Sequence, residues 1–265
     1  MRDATLVSLW EFRWLFCNFF VREIKGRYLG SITGMFWALL HPLALLGIYA
    51  LVFNYIFRVK FVELEEVGFV VFVAIALWPW LAFQEGVQRG ALAAQAGSSL
   101  IKKVAFPHEL LVHGAVASTY VVHLAGFALV LLVFALSGVA LTYTDIFLLL
   151  PLLIAQFLFT GGLALIFAAL QVLARDVEHF ISPLMMIWFY ATPVLYAQSL
   201  VPIQMQQAIS LNPMNYYVSR IRDVLLHGGF TPAWEDLFVF CASLFVFALG
   251  RWFFNRLSPN FEDFL

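Results

Sequence analysis

Three histidines, His41, His113 and His123, are the candidates for proton transfer inside the long apolar runs of this sequence. A proton- or sodium-coupled carrier normally has Asp, Glu or Lys at the middle of its membrane spans. The spans predicted below carry none of these at that depth. A lone histidine in an apolar run more often packs or forms a hydrogen bond, so we interpret all three as structural or interfacial residues.

The sequence has none of the motifs that would indicate an enzyme. It lacks the G-x-x-x-x-G-K-[ST] loop that binds ATP, the H-E-x-x-H zinc motif and the G-x-S-x-G nucleophile motif. Cys17 and Cys241 lie far apart in apolar surroundings, which indicates neither a disulfide nor a metal site. We therefore expect a chain that is not an enzyme and holds no cofactor or metal itself.

The composition is that of an integral membrane protein. Of the 265 residues 63% are hydrophobic and 12% are charged, and the mean hydropathy is +0.91. Soluble domains are about 45–50% apolar and about 25% charged, and a soluble core of this size has no room for 29 Phe and 8 Trp. The net charge of −1 gives no indication of nucleic-acid binding.

The charge-free runs predict an all-α fold with six transmembrane helices in a single domain, because a span needs about 20 apolar residues. We place the spans at about 31–57, 67–84, 110–137, 146–173, 180–200 and 236–255. With the N-terminus inside, the inner segments hold eleven Lys and Arg and the outer segments four. This asymmetry places both termini in the cytoplasm.

Residues 5–27 are predicted to form a helix that does not span. Glu11, Asn18, Arg22 and Lys25 fall on one stripe, and an aromatic stripe that includes Phe19 lies opposite. This pattern is typical of an amphipathic helix in the membrane interface. A plain positively charged anchor before the first span is the alternative.

The segment 84–109 is the longest inner connection and is longer than a turn between spans requires. Its alanine-rich part, 84–95, can form a short helix that Gly97 ends, and Lys102 and Lys103 follow. We interpret it as a docking surface for a cytoplasmic partner, and a solvated connector remains the alternative.

The outer segment 201–230 has the signals of two short helices. Asn212 is a predicted N-cap and Pro213 fits a first helical turn. Tyr216, Tyr217 and Arg220 lie on the second of these helices. Helices too short to span must lie on the surface or dip into a protein-lined cavity, so we expect this gate segment to border the mouth of a pore.

Aromatic residues crowd the spans and their ends. Some belong to an interfacial belt, whereas rings inside a pore would offer flat faces to sliding sugar rings. The candidates for such a channel lining are Tyr49, Phe53, Trp78, Trp80, Trp188, Tyr190 and Tyr196.

Five stretches together resemble one family of transport proteins. They are REIKGRYLGSITGMFWALLHPL at 22–43, IKKVAFPHELL at 101–111, ARDVEHF at 174–180, YATPVLYA at 190–197 and LNPMNYYVSRIRDVL at 211–225. In order and spacing they resemble the type 2 ABC-transporter permeases, and within them the polysaccharide-export branch (Wzm-type O-antigen, capsule and teichoic-acid permeases).

The resemblance implies a homodimer in the cytoplasmic (inner) membrane that works with a separate ATP-binding subunit, which binds ATP and Mg. It implies a coupling helix within 84–97 and two gate helices within 202–227. The residues expected to contact the ATP-binding subunit are Gln88, Arg89, Gln95, Lys102, Lys103, Arg175 and Asp176.

The expected function is export of a lipid-linked polysaccharide, with Arg22, Lys25 and Arg27 meeting the pyrophosphate of the lipid. Two alternatives remain. One is a drug, lipid or oligosaccharide efflux permease of the same family. The other is a membrane-embedded transferase for polyprenyl-linked sugars, which would need clustered acidic or histidine residues at one interface.

Overall fold

The computed structural model describes residues 12–28, 36–58, 68–228 and 233–265. Helices make up 84% of the structure, and the described residues contain no strand. The prediction of an all-α fold is therefore confirmed. Glu11, which belongs to the predicted polar stripe, lies outside the described residues.

The described chain forms eleven α-helices, several of which end in or begin with a short π- or 3₁₀-helix. They are α1 (Arg13–Tyr28), α2 (Phe36–Tyr49, continued by the π-helix Ala50–Ile56), α3 (Phe69–Ala96), α4 (Ser98–Ile101), α5 (Glu109–Leu136), α6 (Leu149–Leu173, preceded by the 3₁₀-helix Ile146–Leu148), α7 (Val177–Tyr190), α8 (Ile203–Ser210), α9 (Pro213–Arg222, continued by the π-helix Asp223–His227), α10 (Trp234–Leu257) and α11 (Phe261–Phe264).

Five helical segments among the described residues are long and apolar enough to cross a bilayer: α2 with its π-helix, α3, α5, α6 and α10. The predicted span at 180–200 is not among them. Its helix, α7, has 14 residues and is therefore about 21 Å long, whereas the apolar core of a bilayer is about 30 Å thick.

The helix α3 forms the centre of the bundle, between α5 and α6. In its most apolar stretch 83% of the residues are buried, compared with 11% in α2. A Cβ atom at Gly90 would lie 2.6 Å from the Cβ of Ala164 on α6 and 3.0 Å from Val116 on α5. Glycine at this position therefore lets three helix backbones approach closely, as small residues do between membrane helices.

The contacts along α3 give the directions of its neighbours. Gly86 lies against Thr160, and Gln95 is bonded to Gln171 further along both helices, so α6 runs parallel to α3. Because Gly97 lies against Leu111, and Trp78 against Gly126 further along α5, α5 runs antiparallel.

The helix α10 also runs parallel to α6. Leu152 and Leu237, near the start of each helix, line one groove, and Gly162 contacts Gly250 further along both. The bundle therefore has two ends. We call the end where α3, α6 and α10 finish the near end, and the end where they begin the far end.

Candidate functional site

A partly buried ionic cluster joins α1, α3 and α5 in the near half of the bundle. The Oε1 atom of Glu85 lies 3.3 Å from Nη1 of Arg27 and 2.5 Å from Nε of Arg89, and its Oε2 atom lies 2.6 Å from Nε2 of His123. The side chains of Arg27 and His123 are 4% and 7% exposed. We call these four residues the Glu85 cluster.

Two hydroxyl groups of α5 complete the surroundings of Arg27. Its guanidinium donates to Thr119 and, at 3.4 Å, to Ser118. Both hydroxyls also donate to the carbonyl oxygen of Ala115 one turn earlier. The helix α1 is thus attached to α5 by a charged side chain as well as by Phe19, which is buried against Gly114.

Sequence reasoning missed this cluster because a search for charge-free runs ended the second span at residue 84. In the structure α3 continues through Glu85 to Ala96, so the predicted coupling helix is the last part of the same long helix. Gly97 then ends it, and the separate short helix α4 follows. Glu85 has partners on two other helices, so a single continuous helix contains both the predicted second span and the predicted coupling helix.

A polar cavity of about 220 Å³ adjoins the Glu85 cluster. The side chains of all four cluster residues line it, together with Val122 and residues of α2. One of these is His41, whose side chain is exposed. The cavity therefore brings together two of the three histidines that the sequence placed in apolar runs, and it leaves out His113.

The remaining residues predicted to meet a partner subunit lie at the near end. Lys102, Lys103, Arg175 and Asp176 are exposed. Gln171 donates at 2.7 Å to Gln95 and at 3.2 Å to the carbonyl oxygen of Arg175. This bonding holds the end of α3 beside the turn after α6, so two of the predicted contact segments adjoin each other.

Gln88 and Arg89 differ from those residues because both are half-buried, and Arg89 belongs to the Glu85 cluster. The three basic residues of α1 that were predicted to meet the lipid pyrophosphate are also separated from one another. Arg22 and Lys25 are exposed, whereas Arg27 is enclosed between α3 and α5.

The far end contains the gate segment, in which Asn212 is the N-cap of α9 as predicted. Its Oδ1 accepts from the backbone N–H of Met214 at 3.0 Å and from Nε1 of Trp188 at 2.7 Å. Its Nδ2 donates to the hydroxyl of Thr192 and to the carbonyl oxygen of Ala191. One side chain thus caps α9 and fastens it to the end of α7.

A second far-end network fastens α9 to the start of α10. Arg220 makes two bonds of 2.9 and 2.7 Å to the carboxylate of Asp236, which also accepts from the hydroxyl of Tyr216 at 2.6 Å and from the backbone N–H of Ala233. Burial, with the Asp236 charge, raises the pKa of Tyr216. The bond to Asp236 raises the pKa of Arg220.

Two fully enclosed side chains of α9 anchor the gate segment in the bundle. The hydroxyl of Tyr217 lies 2.5 Å from that of Ser243, and burial raises the pKa of Tyr217 to about 12. Arg222 donates to the carbonyl oxygens of Phe72, Pro193 and Val194 at 3.2, 2.6 and 2.7 Å. Its guanidinium also lies 3.5 Å from the centre of the Phe72 ring.

The predicted channel aromatics divide into two groups. Trp78 and Trp80 are 1% and 0% exposed, so they are core residues of the single chain. The other five lie on α2 and its π-helix, on α7, or just after α7. Tyr49 stacks on Phe189, and Phe53 stacks on Phe69. Trp188 packs edge-on against Phe83. Tyr190 is 61% exposed, and its carbonyl oxygen accepts a hydrogen bond from the hydroxyl of Tyr196.

Comparison with known proteins gives matches along most of the chain. The ABC-2 type transporter family matches residues 15–226. An O-antigen export system permease protein RfbA of Klebsiella pneumoniae is 26% identical over 244 residues, which are 92% of each chain. The protein of that name from Myxococcus xanthus is 33% identical over 78% of each chain. The polysialic acid transport protein KpsM of Escherichia coli is 22% identical over 79% of this chain and 80% of its own.

Proposed function

The chain belongs to the ABC-2 type transporter family, and we propose that it is the membrane-spanning permease subunit of an ATP-driven polysaccharide exporter. Its cargo would be a lipid-linked polysaccharide, moved across the cytoplasmic membrane. The observation that carries this proposal is the likeness to an O-antigen export permease over 92% of both chains. That likeness includes the gate segment as well as the bundle.

The path of the chain supports six crossings with both termini on the cytoplasmic side. The helix α6 ends at the near end, and α10 begins at the far end. The intervening segment must therefore travel the length of the bundle. The helix α7 covers about 21 Å of that distance, and residues 191–201 continue it towards the gate segment, which is anchored at the far end.

A separate ATP-binding subunit would dock on the near end. The exposed Lys102, Lys103, Arg175 and Asp176 offer both signs of charge next to the end of α3. Movement of the partner would then act directly on a helix that passes through the centre of the bundle. Changing both Lys102 and Lys103 to Glu should weaken co-purification of the partner, and normal co-purification would contradict this docking surface.

A second copy of the chain would face α2 and α7, so that the pore lies between two subunits. Large apolar side chains on both helices are exposed in the single chain, among them Ile48, Leu51, Met186, Ile187 and Tyr190. A cysteine introduced at Tyr190 should form a cross-linked dimer in membranes. A cysteine at Phe245, which is equally exposed on α10, serves as the control.

Deletion of the coding gene tests the function. We expect surface polysaccharide to disappear and lipid-linked polymer to accumulate inside the cell, because synthesis continues without export. Expression of the chain with its ATP-binding partner should restore the surface polymer. Surface polysaccharide of normal amount and length in the deletion strain would refute the proposal.

A further inference from the structure

An apolar groove of about 300 Å³ lies between the start of α1 and the three helices α5, α6 and α10. The residues that line it are all different from those around the Glu85 cluster, whose cavity is bordered by α2 and α3. Four of the six lining side chains are fully apolar. The lining residues are Arg13, Phe16, Leu110, His113, Phe157 and Phe247.

The groove is long enough to hold one acyl chain of a membrane lipid. Leu110 lies at the start of α5, and Phe157 packs edge-on against Tyr120 of the same helix, with the ring centres 5.1 Å apart. The rise from residue 110 to residue 120 of a helix is about 15 Å. The apolar core of a bilayer is about 30 Å thick, so the groove covers the depth of one leaflet.

His113 contributes a polar atom to this apolar wall. The Nε2 atom of its ring is buried without a hydrogen-bond partner among the described residues. The carboxylate of Glu109, one turn earlier, is bonded to Arg251 and Asn255 instead. A buried polar atom of this kind is costly unless something pairs with it. When Nε2 carries the ring proton, it donates to an acceptor such as an ester carbonyl oxygen.

Arg13 brings positive charge to the same groove. It is exposed, and the neighbouring Trp14 is 78% exposed. Among the described helices α1 does not belong to those that are long and apolar enough to cross a bilayer, whereas α5 does. Exposed Trp and Arg on a helix that does not span are typical of the level of the lipid headgroups. Arg13 therefore lies where a headgroup phosphate is found.

The polar and apolar parts of the groove follow the order of groups in a glycerophospholipid. Such a lipid carries its phosphate outermost, its ester carbonyls just below and its acyl chains deepest. The exposed Arg13, the orphaned Nε2 of His113 near the start of α5, and the ring of Phe157 further along that helix offer partners for the three groups in turn.

We propose that this groove binds one anionic glycerophospholipid of the surrounding membrane. Arg13 pairs with the headgroup, which favours an anionic lipid because basic side chains at the interface attract such lipids. His113 donates from Nε2 to an ester carbonyl oxygen, and the acyl chain lies between the three phenylalanine rings. The lipid fastens the start of α1 to the bundle, as Arg27 fastens its end. This site does not depend on the proposed export function.

Titration of the purified full chain with defined lipids, followed by native mass spectrometry, tests the site. The probes are dioleoyl phosphatidylglycerol, its diether analogue, which has no ester carbonyl, dioleoyl phosphatidylcholine and oleate. We expect phosphatidylglycerol to bind about fivefold more tightly than the diether analogue, because the analogue lacks the acceptor for His113. It should also bind about fivefold more tightly than phosphatidylcholine, whose headgroup has no net charge.

Three outcomes of this titration would overturn the proposal. Equal affinity for the ester and the diether lipid would contradict the bond from His113. Equal affinity for phosphatidylglycerol and phosphatidylcholine would contradict selection of an anionic headgroup by Arg13. Oleate binding as tightly as phosphatidylglycerol would make the groove a fatty-acid site.

Two variants assign the preferences to their residues. Arg13→Gln should weaken binding of phosphatidylglycerol by about fivefold and remove its advantage over phosphatidylcholine. His113→Leu should remove the advantage of the ester over the diether lipid, because neither lipid then meets a donor. Arg256→Gln, at an exposed position of α10, is the control and should keep both preferences. Unchanged preferences in Arg13→Gln and His113→Leu would refute the site, and the titration of the wild-type chain decides the matter if either variant fails to fold.

Discussion

The carboxylates of Asp236 at the far end and Glu85 at the near end have different surroundings. We call the Asp236 network closed because both of its carboxylate oxygens accept from groups packed around them. We call the Glu85 cluster open because it borders a cavity. Asp236 accepts two bonds from Arg220, one from Tyr216 and one from a backbone N–H. Glu85 lies between two guanidinium groups and an imidazole, beside a cavity of about 220 Å³.

The different surroundings of the two carboxylates indicate different roles for the two networks. In the closed network the bonds from Arg220 and Tyr216 to Asp236 join the gate segment to the start of α10, and paired, hydrogen-bonded partners of this kind stabilise charge that is removed from water. In the Glu85 cluster Nδ1 of His123 has no hydrogen-bond partner among the described residues, and the charges come from three separate helices. The far-end network thus places its bonds between packed elements, whereas the near-end cluster borders a cavity.

The largest expected effect is at Arg222, the most enclosed basic residue of the far end. Arg222→Met removes the donor that serves three carbonyl oxygens and leaves them buried without it. We expect the free energy of unfolding to fall by at least about 4 kcal/mol. Thermal unfolding of the purified complex measures it.

Arg256→Met, at an exposed position of α10, is the matched control and should change the free energy of unfolding by less than about 0.5 kcal/mol. A small effect at both positions would show that the far end is not held by Arg222.

The second-largest loss of stability is expected at Glu85, and it tests how much the Glu85 cluster stabilises the fold. Glu85→Gln leaves the enclosed guanidinium of Arg27 without its carboxylate and should destabilise the fold by about 3 kcal/mol. Combining it with Arg27→Met removes the uncompensated charge and should restore at least half of that loss. Polysaccharide export should be lost in both the single and the double variant.

Equal stability of the single and the double variant would contradict a charge coupling between Glu85 and Arg27. Normal export by the double variant would contradict a functional role for the cluster.

The near-end cluster and the far-end network also show which features can be predicted from the sequence alone and which cannot. The long helices follow from apolar composition, and the cap at Asn212 follows from a local Asn-Pro pattern, because both depend on residues close together in the chain. The contact of Glu85 with His123 joins residues 38 apart and that of Arg222 with Phe72 joins residues 150 apart. Such pairs depend on how the helices pack, and no local sequence pattern predicts them.

The boundary predicted at residue 84 illustrates the same point. The sequence places the end of the second span at 84 because the charge-free run ends there. In the structure Glu85 has partners on α1 and α5, and one helix continues through it to Ala96. The burial of Trp78 and Trp80 is likewise invisible to the sequence, because periodicity alone does not say which face of α3 its neighbours cover.

A smaller loss of stability is expected when the carboxylate of Asp236 is replaced by a neutral amide of similar shape. Asp236→Asn weakens both bonds from Arg220 and should lower the free energy of unfolding by about 2 kcal/mol. Asp223 is the natural comparison, since it lies 3.7 Å from the same guanidinium and is 47% exposed. Asp223→Asn should cost less than about 0.5 kcal/mol, and equal losses would contradict the closed network.

The smallest effect is at Tyr216, and it depends on pH. Tyr216→Phe removes one bond to Asp236 and should cost about 1 kcal/mol at neutral pH. Because burial, with the Asp236 charge, raises the pKa of this tyrosine above its ordinary value of 10.0, the folded protein keeps the phenolic proton at a pH where the unfolded chain releases it.

The contribution of Tyr216 is therefore complete below about pH 10 and is lost as the pH rises through the raised pKa. Unfolding measured from pH 8 to 11 should show the difference between wild type and Tyr216→Phe shrinking at the alkaline end, since the variant has no proton to lose. Tyr55→Phe, at a 74% exposed position, provides the comparison with no such change. A difference that stays constant with pH would mean that the hydroxyl of Tyr216 does not contribute to the closed network through its proton.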